Sequence, residues 1–324
     1  MYTRQITEPP RKLICNKKPV FGTYIGLPTR LDINGIKTPF GVIPLPPFIT
    51  NFAIRSRLSF TFSIGDYIGQ AVFFDSKIFG YGELVLFNTK LNVKTAYKTF
   101  TGPRKRLIPK NLKKGACISF KKNRYFKISW DRINGRFSVL FNMKGDSLRP
   151  NATAAFLGKS KNAADIITVM PAPTARRCSA TWTCSFPIHG FLSVNKSNMS
   201  QIMDNIDGSA LITINRSYYK LHANSTSVTG TGLYEDQKLQ FNLIVTSLDA
   251  TDTNKCNPNV LFFDSNITPL PQVFITHPFG INKTWVIQDT ENMVDLSFTP
   301  ITESVRNINV IFFRTVYHIM YGVF

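Results

Sequence analysis

The sequence predicts a mainly β protein of antiparallel barrels or sandwiches, and three observations carry that prediction. Short runs rich in β-branched and aromatic residues recur along the chain, separated by Gly, Pro, Asn or Asp clusters, as strands and their turns do. One pair of runs, Arg124–Trp130 and Arg136–Asn142, flanks Asn134-Gly135, which supplies the positive backbone dihedrals of a tight hairpin turn. Helical periodicity is scarce, which argues against an α/β fold.

In chain order, the first fifty residues contain Pro9, Pro10, Pro19, Pro28, Pro39, Pro44, Pro46 and Pro47. Proline cannot donate to a ladder, so this segment is expected to wrap over a sheet or plug an opening. Beyond the hairpin, strands are predicted at Glu83–Phe87, Ala180–Phe186, Gly190–Val194, Ala210–Ile214 and Leu239–Thr246. Further strands are predicted at Val260–Phe263, Lys283–Ile287, Met293–Phe298 and Ile308–His318. The best helical candidate is Ser197–Ile206, with Ser197 or Asn198 as its cap. A composition shift near Lys159–Pro173 marks a joint. The expected division is therefore a Pro-rich wrapping segment over 1–50, an N-terminal β-domain over 51–165 and a C-terminal β-domain over 166–324.

At 324 residues the chain can bury a large core, and 27 Phe with a formal charge of +20 require an aromatic interior under a basic surface. No apolar run approaches the roughly 20 residues that span a bilayer, since Val310-Ile311-Phe312-Phe313 stops after a few positions. The N-terminal residues have charges but no apolar h-region, and Glu8 and the Pro pair interrupt any presequence, so a cytoplasmic chain is expected. Seven Asn-x-Ser/Thr sequons, from Asn151 to Asn282, read as chance in an Asn- and Ser-rich chain.

The five cysteines, Cys15, Cys117, Cys178, Cys184 and Cys256, form no CxxC pair. Cys178 and Cys184 share a strand face but lie about 20 Å apart, so ordinary buried thiols are expected. His189, His222, His277 and His318 form no HExxH or HxH motif, and no metal site is expected. There is no GxSxG elbow, P-loop or GxGxxG, so neither a cofactor nor a catalytic residue is assigned. Asp66, Asp75, Glu83, Asp131, Asp264 and Asp295 read as turn acids at strand ends, although distant carboxylates can meet inside a barrel.

Arg104, Lys105, Arg106, Lys110, Lys113, Lys114, Lys121, Lys122, Arg124 and Lys127 place ten cations in 24 residues without one acid. Such a block repels itself and belongs on an exposed loop and strand edge, where it keeps the protein soluble and blocks edge-to-edge pairing. Its functional reading is attraction to an anionic membrane surface. Nucleic acid is the less favoured polyanion, because no RNA-binding motif accompanies the charge.

Residues Asn259-Val260-Leu261-Phe262-Phe263-Asp264, Leu270-Pro271-Gln272-Val273, Trp285-Val286-Ile287 and Val294-Asp295-Leu296-Ser297-Phe298-Thr299-Pro300 together resemble the end of the domain-of-unknown-function 2804 family. Upstream, Ile14–Pro28, Gly65–Gly69, Gly80-Tyr81-Gly82 and Phe186–Gly190 resemble its earlier segments in order, so the resemblance spans the whole chain. It implies two antiparallel lipocalin-like halves, similar in outline to carotenoid hydratase-like proteins, and transfers no catalytic position. As the resemblance implies, relatives commonly carry an Asp with a Gly-rich turn and then Pro and Trp before the final strands, a polar constellation facing the cavity. This chain has Asn215-Arg216-Ser217-Tyr218-Tyr219-Lys220-Leu221-His222 instead.

The reading that follows is a monomeric, non-catalytic protein that shelters an apolar or amphipathic, lipid-like molecule in a β-barrel cavity. Trp130, Phe141, Trp182, Phe191, Phe241 and Trp285 are its candidate lining residues. The alternatives are a hydratase-like enzyme acting on a lipid or isoprenoid and a basic module for anionic membrane or RNA.

Overall fold

Alternation governs much of the wall: along Ile54–Ile64 every second residue is buried, and Arg136–Met143 and Asn151–Lys159 repeat the pattern, while Gly80–Asn88 is buried on both faces. The computed structural model describes residues 6–77, 79–101, 107–172, 174, 176–196, 199–218, 225–235, 237–246, 256–264, 266–310 and 313–324. The chain begins with short strands β1 (Ile6–Thr7), β2 (Ile14–Cys15), β3 (Lys18–Pro19) and β4 (Gly22–Ile25), then a short helix, α1 (Pro47–Phe52). A first meander follows in β5 (Ile54–Ile64), β6 (Tyr67–Asp75), β7 (Gly80–Asn88) and β8 (Val93–Thr101). A second comprises β9 (Lys114–Lys121), β10 (Arg124–Asp131), β11 (Arg136–Met143) and β12 (Asn151–Lys159). Three strands complete the barrel region: β13 (Ala164–Pro171), β14 (Cys178–Lys196) and β15 (Met199–Tyr218).

The sheet order is β8-β7-β6-β5-β15-β14-β12-β11-β10-β9, and edges β8 and β9 return to lie side by side, which nearly closes a barrel. Arg124 of β10 reaches across this seam to the Lys98 carbonyl of β8 at 2.7 Å. Strand β14 is shared: Cys178–Ser185 pairs with β13, while Ile188–Asn195 pairs with β12. Pro187, which has no N–H to give, sits at this fork. Phenyl rings fill the interior, with Phe62 5.0 Å from Phe156, Phe73 5.2 Å from Phe126 and Phe137 stacked 3.9 Å from Phe186. Gly69 is needed here, since a Cβ at that position would fall 2.0 Å from the Phe62 ring.

The remaining strands form two four-stranded sheets: β16 (Ser225–Tyr234), β17 (Gln237–Thr246), β18 (Val260–Phe263) and β19 (Asn266–Pro269), then β20 (Val273–Thr276), β21 (Trp285–Asp289), β22 (Asp295–Val310) and β23 (Phe313–Val323). They share a core that includes Phe241, Leu243, Val273, Trp285, Ile287 and Phe298, forming a half-barrel. This unit lies against the outside of the barrel, through Val260 and Phe262 against Ile166 and Leu211, and Tyr321 against Val85 and Phe87. No helix among the described residues is long and apolar enough to cross a membrane.

The mainly β class holds, and the Asn134-Gly135 hairpin is β10–β11 with Gly135 at φ 69°. The helix expected at Ser197–Ile206 is instead the start of β15, residues 197 and 198 lying outside the described set. Met199, Ile202, Met203 and Ile206 imitate a helical stripe, but the ladder to β14 decides the conformation. A bulge opposite Gly190–Leu192, with Asn205 at φ 57°, breaks the two-residue alternation there. The runs Ala180–Phe186 and Gly190–Val194 belong to one strand, and Ile308–His318 spans the end of β22 and the start of β23. The boundary expected between residues 165 and 166 falls inside β13, whose partners β4 and β14 belong to the barrel sheet.

Candidate ligand site at the barrel mouth

One end of the barrel is stoppered. Leu31, Ile33 and Ile36 from the Pro-rich segment and Leu107, Ile108 and Leu112 from the β8–β9 connection join the barrel core. The two segments brace each other, with Leu31 N–H donating to the Lys110 carbonyl at 2.9 Å and Leu112 N–H to the Thr29 carbonyl at 3.1 Å.

Beneath this stopper the last inward row of the wall turns polar. Arg216 of β15, Ser56 of β5 and Asp75 of β6 are register partners across three adjacent strands. The same face of these strands is apolar one step further in, at Ile214, Leu58 and Phe73. Arg216 is buried and donates to Ser56 Oγ at 2.6 Å and to the carbonyls of Ile108 and Pro109 at 2.8 and 3.0 Å. Its Nε has no hydrogen-bond partner among the described residues. Burial pushes this guanidinium below its usual range, against the pull of Asp32 and Asp75.

Three more cations converge on the same place. Lys77 bonds the Asn51 carbonyl, Arg55 the Phe52 carbonyl at 2.6 Å, and Lys110 both oxygens of Asp32 at 2.8 and 2.9 Å. Lys77 stands at φ 68°, a left-handed conformation unfavourable for a residue with a side chain, fixed by its N–H donating to Asp75 Oδ1 at 2.8 Å. Its ammonium is lowered to about 8, first by burial and then by Arg55, with Asp75 opposing and Lys110 and Arg216 adding to the fall. Among the described residues, Arg55, Lys77, Lys110 and Arg216 stand near two carboxylates, Asp32 and Asp75, a surrounding that favours an anion.

A second polar group at this end is balanced. Arg132 Nη2 meets Asp165 Oδ2 at 2.5 Å, Trp182 Nε1–H donates to Asp165 Oδ1 at 3.0 Å, and the Arg132 guanidinium lies 5.1 Å from the Phe137 ring centre. Cys184 lies 3.5 Å from Arg132 Nη1, and its thiol is pushed well up, chiefly by burial. An inert, buried thiol is the result.

The sequence-predicted lining residues fall into three places. Trp130, Trp182 and Phe141 are buried in the barrel, the two indoles 6.1 Å apart, and Trp130 Nε1–H donates to the Asn111 carbonyl of the stopper at 3.2 Å. Phe241 and Trp285 share the half-barrel core, while Phe191 is half-buried at the β14 bulge. They do not converge on one cavity: the barrel centre is ring-filled among the described residues. A cavity beside the β8–β9 seam, lined in part by Glu83, Tyr97, Ser119 and Arg124, measures about 10 Å³, room for about one water.

The ten cations of the basic segment are spread along the wall. Arg104, Lys105 and Arg106 lie outside the described residues. Lys110, Lys113 and Lys114 stand at the mouth, Lys114 meeting Asp131 at 3.0 Å. Lys121, Lys122 and Arg124 sit at the opposite end, around the β9–β10 turn, and Lys127 lies part-way along β10. Two His–carboxylate pairs, His189 with Asp207 at 2.9 Å and His318 with Glu303 at 2.7 Å, are exposed at strand surfaces. Arg216 was legible in one respect, since it continues the inward parity of Ala210, Ile212 and Ile214. Arg55, Lys77, Arg132 and Asp165 carried no sequence signal, because the fold alone gathers them.

A family model described as "Domain of unknown function (DUF2804)" matches residues 55–324. Residues 1–54, including the resemblance read at Ile14–Pro28, lie outside that match. Among the curated proteins no sequence matches. Two solved structures are similar to the chain. Kievitone hydratase from Nectria haematococca has TM-score 0.45 and 9% identity, covering 79% of this chain and 78% of its own. CghA, determined with Sch210972, has TM-score 0.48 and 10% identity, covering 90% and 89%.

Proposed function

Because the chain belongs to the DUF2804 family, whose name carries no activity, we propose a function from the mouth itself: non-catalytic binding of an amphipathic, lipid-like anion. The acidic group sits at the Lys77–Lys110 rim above Arg216, and the apolar part lies against Phe40 and Tyr218, whose rings are 6.0 Å apart. Arg216 is the single observation that carries this reading: a buried guanidinium whose Nε has no partner among the described residues, in a cluster with Lys77 and Lys110. The interior favours a site at the mouth over one along the axis, because phenyl rings occupy the axis. The hydratase-like alternative requires a cavity lined by paired carboxylates or a His–carboxylate pair, and the two His–carboxylate pairs are exposed.

Calorimetry with decyl phosphate, held below its micelle concentration, tests the proposal. Saturable binding is expected, weakening with salt and about tenfold weaker in Lys77→Gln, the loss of one charge-assisted bond. Binding also takes up protons near pH 8, because the bound anion restores the lowered Lys77 ammonium. Equal binding of neutral decyl maltoside, or an undiminished Lys77→Gln variant, overturns it.

A further inference from the structure

We propose that the segment between Lys37 and Arg55 docks this protein on an anionic bilayer surface. No charged residue lies between those two cations. The segment is tethered by buried Ile36 and Pro39 at one end and by buried Thr50 and Ile54 at the other. Everything from Val42 to Ile49 between the tethers is exposed, with Val42 at 80%, Ile43 at 77% and Phe48 at 74% of full exposure. Phe40, Leu45, Ile49 and Phe52 are exposed as well, so seven large apolar side chains stand exposed between residues 40 and 52. Such a concentration of exposed large apolar side chains marks an interaction site.

Charge identifies the occupant. Arg177 lies 5.3 Å from the Phe40 ring centre and Arg55 5.6 Å from that of Phe52, while Lys77 holds the Asn51 carbonyl. Cations thus ring the base of an apolar projection, the arrangement that lets apolar side chains enter the acyl boundary while charges stay with headgroups. A second copy of this chain would bring like charges together on a protein of net charge +20. Pro44, Pro46 and Pro47 bar the segment from adding to a partner's sheet as a strand.

The docking surface shares Phe40, Arg55 and Lys77 with the proposed small-molecule site, but Val42–Phe48 lies outside that site, so substitutions at Ile43 and Phe48 separate the two readings. Flotation of the full chain with phosphatidylcholine vesicles, with and without phosphatidylserine, tests it. Partitioning is expected to be at least tenfold stronger with phosphatidylserine, and to fall with salt. Ile43→Asp and Phe48→Asp should each cut it about tenfold or more. Both sites are exposed, so unchanged thermal unfolding will show that the variants are folded, and Ile43→Asp should retain decyl phosphate binding. Absence of partitioning, partitioning indifferent to both substitutions, or a dimer in sedimentation that Ile43→Asp dissolves would each overturn the proposal.

Discussion

The centre of the barrel and its mouth are made by the same strands and lie only one to three inward positions apart. On β5, Phe60 and Phe62 meet other rings, while Ser56 receives Arg216; on β6, Phe73 stacks near Phe126 while Asp75 caps Lys77. The centre gains from excluding water and from ring-to-ring contact. The mouth holds buried charge short of partners, which costs stability. A strand wall can thus concentrate stability along its length and reserve its last row for recognition.

The sharpest way to break the contrast is at the centre. Phe62→Ala is expected to lose about 3–5 kcal/mol in urea unfolding, because four flanking groups, Phe60, Gly69, Phe141 and Phe156, close on that ring. Asp165→Asn should cost about 3 kcal/mol by the same measurement, since it strands Arg132 beside the Phe137 ring. Arg216→Met is expected to change stability by less than about 1 kcal/mol, or to raise it, as an apolar chain replaces an unneutralised charge. A loss as large as that of Asp165→Asn would show the mouth to be structural.

A pH scan gives a smaller, signed test. Lys77 is lowered to about 8 when folded from 10.5, so between those values the unfolded chain holds more protons and stability rises with pH. Below pH 8 both states carry the proton and the cost stays constant. Among the described residues, Arg55, Asp75, Lys110 and Arg216 are the charged groups facing Lys77, and the slope should flatten in Lys77→Met. The smallest effect concerns thiols: Cys15 is exposed, and the other four are buried, with Cys178 pushed up to about 12. A thiol reagent should modify one group in the native protein and the rest only on unfolding.

Period-two patterns and turn chemistry made the β class and the Asn134-Gly135 hairpin legible, because both depend on neighbours in sequence. In the Pro-rich segment the prolines mark only where no ladder can run, whereas Leu31, Ile33 and Ile36 enter the barrel core through contacts distant in sequence. The long β15 was not, because a bulge at Asn205 disturbs its alternation. Of the mouth, Asp75 read as a turn acid and Lys110 as one of a basic block, whereas Arg55 and Lys77 were indistinguishable from surface cations. Arg216 and Tyr218 lie within the departure at Asn215–His222, of which residues 219–222 lie outside the described set.

The pairing of β5 with β15 joins Ile54 to Tyr218 and has a consequence for biogenesis. At roughly 5–20 residues per second, the ribosome needs on the order of ten seconds or more between finishing β5 and finishing its partner. Throughout that interval the first meander carries an open, Phe-rich edge that can pair with another nascent chain. Such long-range closure folds slowly, so yield during synthesis should depend on chaperone supply and improve at lower temperature.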